Sequence, residues 1–300
     1  MLIDMHTHSY YSDGDYSPAK VVLLAKNRNV STLSITDHDA LGASLYFLKN
    51  PILIPSGMEI IPGIEITGKI PNGPVHILGY GFDVYNKELN DAMKLQAQKR
   101  KNALLDVYNY IKTEYDICFS DDEINEVINS ERSMGKTDLA KLLIKYRKVE
   151  TVSEAFSKYL NKAHVMTKGN FDKGLPFQEC LELILNAGGI PVLAHPKTLK
   201  LEKLEFLRLL EEMKDCGLKG IEVYHSIHTL SDINYYLEIA NKYNFLVSGG
   251  SDFHGNIAKP NIKFGVTCKD KDIVLEGLSI VDELRIGSYK VLKKSAGLKL

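Results

Sequence analysis

The feature that most restricts what this 300-residue chain can become is an alternation of short apolar runs with stretches of helical period. Leu2 to Met5 reads as a first strand; Ser17-Pro18 then offers an N-cap and first turn for a helix through about Asn29. Thr32 to Thr36 follows as a second strand, and a short helix near Ala40 to Lys49 leads to a third at Met58 to Thr67. Asn72-Gly73 is a turn signal, after which Val75 to Tyr80 reads as a strand. The rhythm returns after Phe177, with strands at Ile190 to Ala194, Gly220 to Tyr224 and Phe245 to Ser248, separated by helices at Glu202 to Cys216 and Ser231 to Tyr243. Strand, helix and strand in quick succession is the pattern of parallel βα units. A barrel fits best, and an open doubly wound sheet would show the same count.

The stretch from about Asn86 to Lys162 breaks that rhythm. It reads as helix only, with capping-box patterns at Ser120-Asp121-Asp122-Glu123 and Thr151-Val152-Ser153-Glu154. The expected organisation is therefore a first barrel part over 1–85, a helical insertion over 86–165 and a second barrel part over 166–300.

Composition narrows the function classes. With a net charge of −1, no global basic field points to long duplex DNA as a partner. The four cysteines, Cys118, Cys180, Cys216 and Cys268, have no CxxC spacing and read as reduced thiols of a cytoplasmic protein. No stretch approaches the roughly 18 apolar residues of a membrane span, and no secretory leader pattern opens the chain.

The nine histidines carry the chemistry. His6 and His8, spaced i, i+2 at the end of an apolar run, point the same way from an extended backbone and can share one metal ion. Asp13, in a Gly-containing loop just beyond, is near enough to add a hard oxygen ligand. His38 closes the second strand, His76 lies in the fourth, His195 and His225 close the next two, and His254 follows the last. Only His164 and His228 fall clearly elsewhere. If the strand ends build one rim, these imidazoles converge there with Glu65, Asp13 and Asp252. Imidazole and carboxylate together suit Mn²⁺, Fe²⁺ or Zn²⁺ better than Mg²⁺.

The motifs His6-Thr7-His8, Thr36-Asp37-His38, Gly63-Ile64-Glu65, Val75-His76, Ala194-His195-Pro196 and Gly250-Ser251-Asp252-Phe253-His254-Gly255 resemble, in order, those of the PHP (polymerase and histidinol phosphatase) family. The resemblance implies a distorted (β/α)7 barrel with an inserted all-helical subdomain, and a phosphoesterase site with two or three divalent metal ions. It implies that His6, His8, Glu65 and Asp252 hold one ion, Glu65, His76 and His195 a second, and Asp13, His38 and His254 a third. Asp13 and His254 are then expected to be catalytic. Two ions can stabilise the attacking and leaving oxygens of an in-line displacement at phosphorus, with a bridging water ionised near neutral pH. No P-loop, nucleophile elbow or G-x-G-x-x-G after a strand offers a competing chemistry.

Within the family, the stretches Asp138 to Leu143, Ala155 to Leu160 and Glu222 to His225, with His228 beyond, resemble the branch of nucleoside 3′,5′-bisphosphate phosphatases and 5′-to-3′ exoribonucleases. That implies a nucleotide or short RNA substrate. Where the branch carries an arginine and a histidine, this chain has Lys136 and Asp138, which keeps a positive charge without the bidentate fork and adds a carboxylate able to repel phosphate. Lys136, Lys197, His225 and His228 are candidate substrate contacts, and His225 or His228 could protonate the leaving oxygen. Lys197 also reads as a solvated loop lysine and His228 as a cap for the following helix. Tyr10, Tyr11 and Tyr224 could stack a base or simply pack. A histidinol-phosphate or other small phosphomonoesterase, and a catalytically silent metal-binding module, are the alternatives.

Overall fold

A computed structural model describes residues 1–167 and 174–293. Strands β1 (Leu2–Asp4), β2 (Val30–Ile35), β3 (Glu59–Ile70) and β4 (Gly73–Tyr80) come first, with helices α1 (Pro18–Asn27) and α2 (Gly42–Lys49) between them. Ser17 caps α1 by accepting from Lys20 N, and Pro18 fills its first position. Helices α3 (Lys87–Tyr115), α4 (Asp121–Asn129), α5 (Lys136–Lys145), α6 (Val152–Ala155) and α7 (Asn161–Met166) follow without a strand. The chain then returns through β5 (Leu175–Pro176), α8 (Phe177–Asn186), β6 (Ile190–Leu193), α9 (Lys203–Asp215), β7 (Gly220–His225), α10 (Leu230–Tyr243) and β8 (Leu246–Gly250).

The sheet runs β1-β2-β3-β4-β6-β7-β8, and its two ends meet. Met5 N donates to Gly249 O at 3.1 Å and Asp252 N to His6 O at 2.8 Å, so the sheet is nearly closed into a barrel. A Cβ on Gly250 would stand 2.3 Å from the His6 backbone nitrogen, so this seam needs glycine. Asp4 reinforces it by accepting from Ser251 N, Ser251 Oγ and Gly265 N at 2.9, 2.6 and 2.7 Å. Met5, Ile61, Leu78, Tyr80, Ile190 and Val192 fill the interior, where Tyr80 Oη donates to Met5 O at 2.9 Å.

One departure from simple βα alternation matters for the site. β4 pairs antiparallel with both β3 and β6, as the Asn72-Gly73 hairpin dictates, while β1/β2, β2/β3, β6/β7 and β7/β8 are parallel. His76 therefore reaches the rim from the N-terminal half of its strand rather than from a strand end.

Helices α3 to α7 have a hydrophobic cluster of their own around Leu104, Val107, Ile111, Leu139, Leu143 and Leu160. The Ser120/Glu123 capping box is complete. The one read at Thr151 is half formed: Thr151 Oγ1 accepts from Glu154 N, but the Glu154 carboxylate turns to Glu150 N at 2.7 Å. Among the described residues no helix is long and apolar enough to cross a membrane.

Candidate metal centre

Glu65 is the hub of the rim. It is 1 % exposed and faces five imidazoles: His6 Nε2 and His8 Nε2 at 3.2 Å, His38 Nδ1 at 3.1 Å, and His76 Nδ1 and His195 Nε2 at 2.8 Å. Asp252 is a second hub, its Oδ1 lying 3.4 Å from His8 Nε2 and 3.3 Å from His254 Nδ1, its Oδ2 3.2 Å from His225 Nε2. Asp13 Oδ1 lies 3.2 Å from His254 Nε2 and 3.8 Å from His8 Nδ1. His195 and Asp252 hold left-handed backbone angles, φ 22° and 59°, a conformation that costs of order 1–3 kcal/mol and persists where surroundings enforce it.

This donor set fits divalent ions. His254 Nδ1 lies 2.9 Å from the carbonyl of Asp252, which can only accept, so that nitrogen carries the proton and Nε2 presents a lone pair to the Asp13 carboxylate. Burial, together with His8 and Lys259, lowers the His254 pKa and keeps the ring neutral. Two lone-pair donors facing each other in a buried site are reconciled by a cation between them. His38 Nδ1 likewise lies against Glu65 without the alignment of a hydrogen bond. Groups whose donor atoms converge include His8/Asp13/His38/His254, His6/Glu65/His195, His6/His8/Asp252 and His38/Glu65/His76.

Several supports for these ligands were not singled out from the sequence. Glu222, fully buried in β7, accepts from His6 Nδ1 at 2.9 Å and from His195 N at 2.7 Å, which turns His6 Nε2 toward the centre. Burial raises its pKa, but His6 and His225 outweigh that and bring it down to about 2. Asp37 accepts from Ser9 N, Ser9 Oγ and Ser12 Oγ at 2.8, 2.6 and 2.7 Å and so shapes the turn that carries His8. Lys259 forms an ion pair with Asp252.

A cleft of about 340 Å³ opens between the rim and the helical segment, bordered by Asp13, His38, His76, Arg100, Lys136 and Thr137. His164, read from the sequence as remote, also lines it. Arg100 Nη1 is shared between Asp39 Oδ2 at 3.1 Å and Thr67 Oγ1 at 3.0 Å. A larger cleft of about 590 Å³ lies between α2 and α3, where Tyr11 is found, away from the donor cluster.

Asp138 does not face the cleft as a free carboxylate: it is buried, accepts from Gly135 N at 2.8 Å and pairs with Arg132 at 3.0 Å. Lys197 is ion-paired with Asp232 at the start of α10. His228 does not cap α10; Thr229 does, and His228 Nδ1 donates to Val223 O at 2.8 Å. Burial and then His225 push the His228 pKa down to about 4. His225 Nδ1 accepts from Ile227 N at 3.2 Å, leaving its proton on Nε2 beside Asp252. Tyr10 packs under the Arg132 guanidinium, and Tyr224 packs among the buried side chains.

The ligand cluster on a nearly closed sheet now has its comparison. Residues 4–168 match the family profile described as PHP domain. This chain belongs to the PHP domain family. Among PHP relatives it is 28% identical over 273 residues to a phosphoribosyl 1,2-cyclic phosphate 1,2-diphosphodiesterase of Eggerthella lenta, covering 89% of this chain and 99% of that protein. It is 26% identical over 258 residues to a 3′,5′-nucleoside bisphosphate phosphatase of Chromobacterium violaceum, covering 84% and 87%. A solved structure of an amidohydrolase from Chromobacterium violaceum, with bound sulfate and no metal, superposes with a TM-score of 0.81 at 24% identity over 99% of both chains, which shares the fold.

Proposed function

We propose that this PHP protein is a metal-dependent phosphoesterase acting on a small phosphorylated nucleotide or the end of a short oligonucleotide. It is a hydrolase of phosphoric ester bonds, the class its relatives' names share. The observation that carries the substrate reading is the placement of the 340 Å³ cleft, which sets the donor cluster beside the cations Arg100 and Lys136 in a space of the size small ligands occupy.

His6, His8, Glu65 and Asp252 would hold one ion, Glu65, His76 and His195 a second, and Asp13, His38 and His254 a third. Divalent ions there supply polarisation of the phosphoryl group and neutralise charge that builds at phosphorus. The chain's own groups do the rest. Glu222 keeps His6 oriented, and Arg100 with Lys136 attracts a phosphate into the cleft. His225 and His228 are the proposed acids for the leaving oxygen; burial lowers both pKa values and leaves the rings neutral, so either one would first take up a proton and give it up as the imidazolium.

Phosphate release from adenosine 3′,5′-bisphosphate, 5′-AMP, a short 5′-phosphorylated RNA and histidinol phosphate, with Mn²⁺ supplied, tests the reading. Preference for a nucleotide or RNA, abolished by chelation, is the expected result. Silence on every nucleotide with ions bound, or preference for histidinol phosphate, would overturn the substrate assignment.

A further inference from the structure

We propose that Thr137 and Lys141 of α5 are positioning residues that set the affinity of the ion held by Asp13, His38 and His254, so that the helical segment governs the loading of that one position. The inference rests on the three-ion form of the function proposed above. Its ground is how Asp13 is held. One carboxylate oxygen, Oδ1, faces His254 Nε2 at 3.2 Å, while the other, Oδ2, accepts from Thr137 Oγ1 at 3.2 Å. The Lys141 ammonium donates to the carbonyls of Asp13 and Gly14 at 2.7 and 3.1 Å and pairs with Asp15 Oδ1 at 2.9 Å.

Asp15 carries the restraint onward. Its N donates to His254 O at 2.7 Å, and its Oδ2 accepts from Ile257 N and Ala258 N at 2.7 and 3.2 Å. Lys141 therefore pins two of the three loops that present donors to this position, the loop of Asp13 directly and the loop of His254 through Asp15. The other positions are braced within the barrel. Glu65, His76 and His195 bond one another, His195 is held by Glu222 and Thr198, and His6 by Glu222. One ion thus depends on α5, while Glu65, His76, His195 and His6 of the other two are held by groups of the barrel. Partners that orient ligands from behind typically change metal affinity 10–100-fold when removed.

Metal content after equilibration with Mn²⁺, and titration of each ion into the chelated protein, read this directly in wild type, D13A, T137V and K141M. Thermal unfolding of the chelated forms reports any loss of fold, and T137V, which removes only a hydroxyl, keeps the test open should K141M fail to fold. The expected result is three ions in wild type, two in D13A, and in T137V and K141M a third ion weakened about 10–100-fold with the other two unchanged, restored by T137S and K141R. Three ions of wild-type affinity in both variants, or equal weakening of every ion, would overturn the proposal. Failure of the underlying reading looks different: wild type itself would take up fewer than three ions and match D13A, and the proposal would fall with it.

Discussion

The rim and the helical segment both bury charge, but they balance it differently. At the rim, Glu65 is surrounded by five ring nitrogens, and Asp13 meets a lone pair of His254 rather than a proton. In the helical segment each buried charge is closed by the chain itself. Asp138 has Arg132 and the Gly135 amide, and the Lys101 ammonium donates to Ile128 O and Ser130 O at 2.8 and 2.7 Å. Electrostatics left open wait for an ion; electrostatics already closed serve the fold. Substitutions in the first region should register in metal binding and turnover, and in the second in stability.

Matched removal of one carboxylate charge from each region tests this most sharply. E65Q keeps shape but offers an amide where several imidazoles meet a carboxylate, so it should lose ions and lower kcat/KM by more than about 10³-fold, roughly 4 kcal/mol. Metal content and steady-state kinetics measure both. D138N should leave the ion count intact while costing about 1–3 kcal/mol, because the charge-assisted bonds to Arg132 and Gly135 weaken in a buried setting. Denaturant unfolding of the chelated protein measures that cost. If D138N lost ions and E65Q only stability, the contrast would be wrong.

The two regions were also unequally legible. Histidines at successive strand ends stand out because strand residues alternate faces and a rim collects ends, so His6, His8, His38, His195 and Glu65 could be grouped from spacing. His76, within its strand rather than at its end, is legible through the Val75-His76 motif and not through that logic; its antiparallel strand brings it to the rim by another route. Glu222 was missed because its neighbours in Gly220–His225 read as an ordinary strand, although a glutamate in a run buried on both faces is itself a signal of an inward partner. Asp138 was read as a threat to phosphate, whereas the third helical position is where an acidic residue reaches back to the cap. Arg100 carried no signal at all: charges lie all along the 29 residues of α3, and only the tertiary placement of Asp39 selects one of them.

Arg100 also gives the next test, because it belongs to the helical segment yet faces the cleft. R100M should raise KM about tenfold, near 1.4 kcal/mol, with kcat changed less, since an anion loses a partner in binding while the ligand cluster stays intact. Initial rates over a range of adenosine 3′,5′-bisphosphate concentrations separate the two constants. A fall in kcat alone would place Arg100 among the groups that act on the transition state and blur the division between the regions.

The smallest effect compares the same device in both places. Ser120 and Thr229 each accept from an amide three residues on, Glu123 N at 3.3 Å and Asp232 N at 3.2 Å, and each third-position carboxylate reaches back to the cap. Replacing such a cap by alanine typically costs about 1 kcal/mol, a shift of about 2–4 °C in Tm for a large domain. S120A and T229A should therefore lower Tm by similar small amounts. The informative part is the shape of the transition, read by calorimetry on the chelated protein. If α3 to α7, with their separate hydrophobic cluster, melt together with the barrel, both variants shift a single peak. If S120A splits off an early shoulder that T229A lacks, the helical segment opens on its own, and the position it braces through Thr137 and Lys141 would be the first to release its ion.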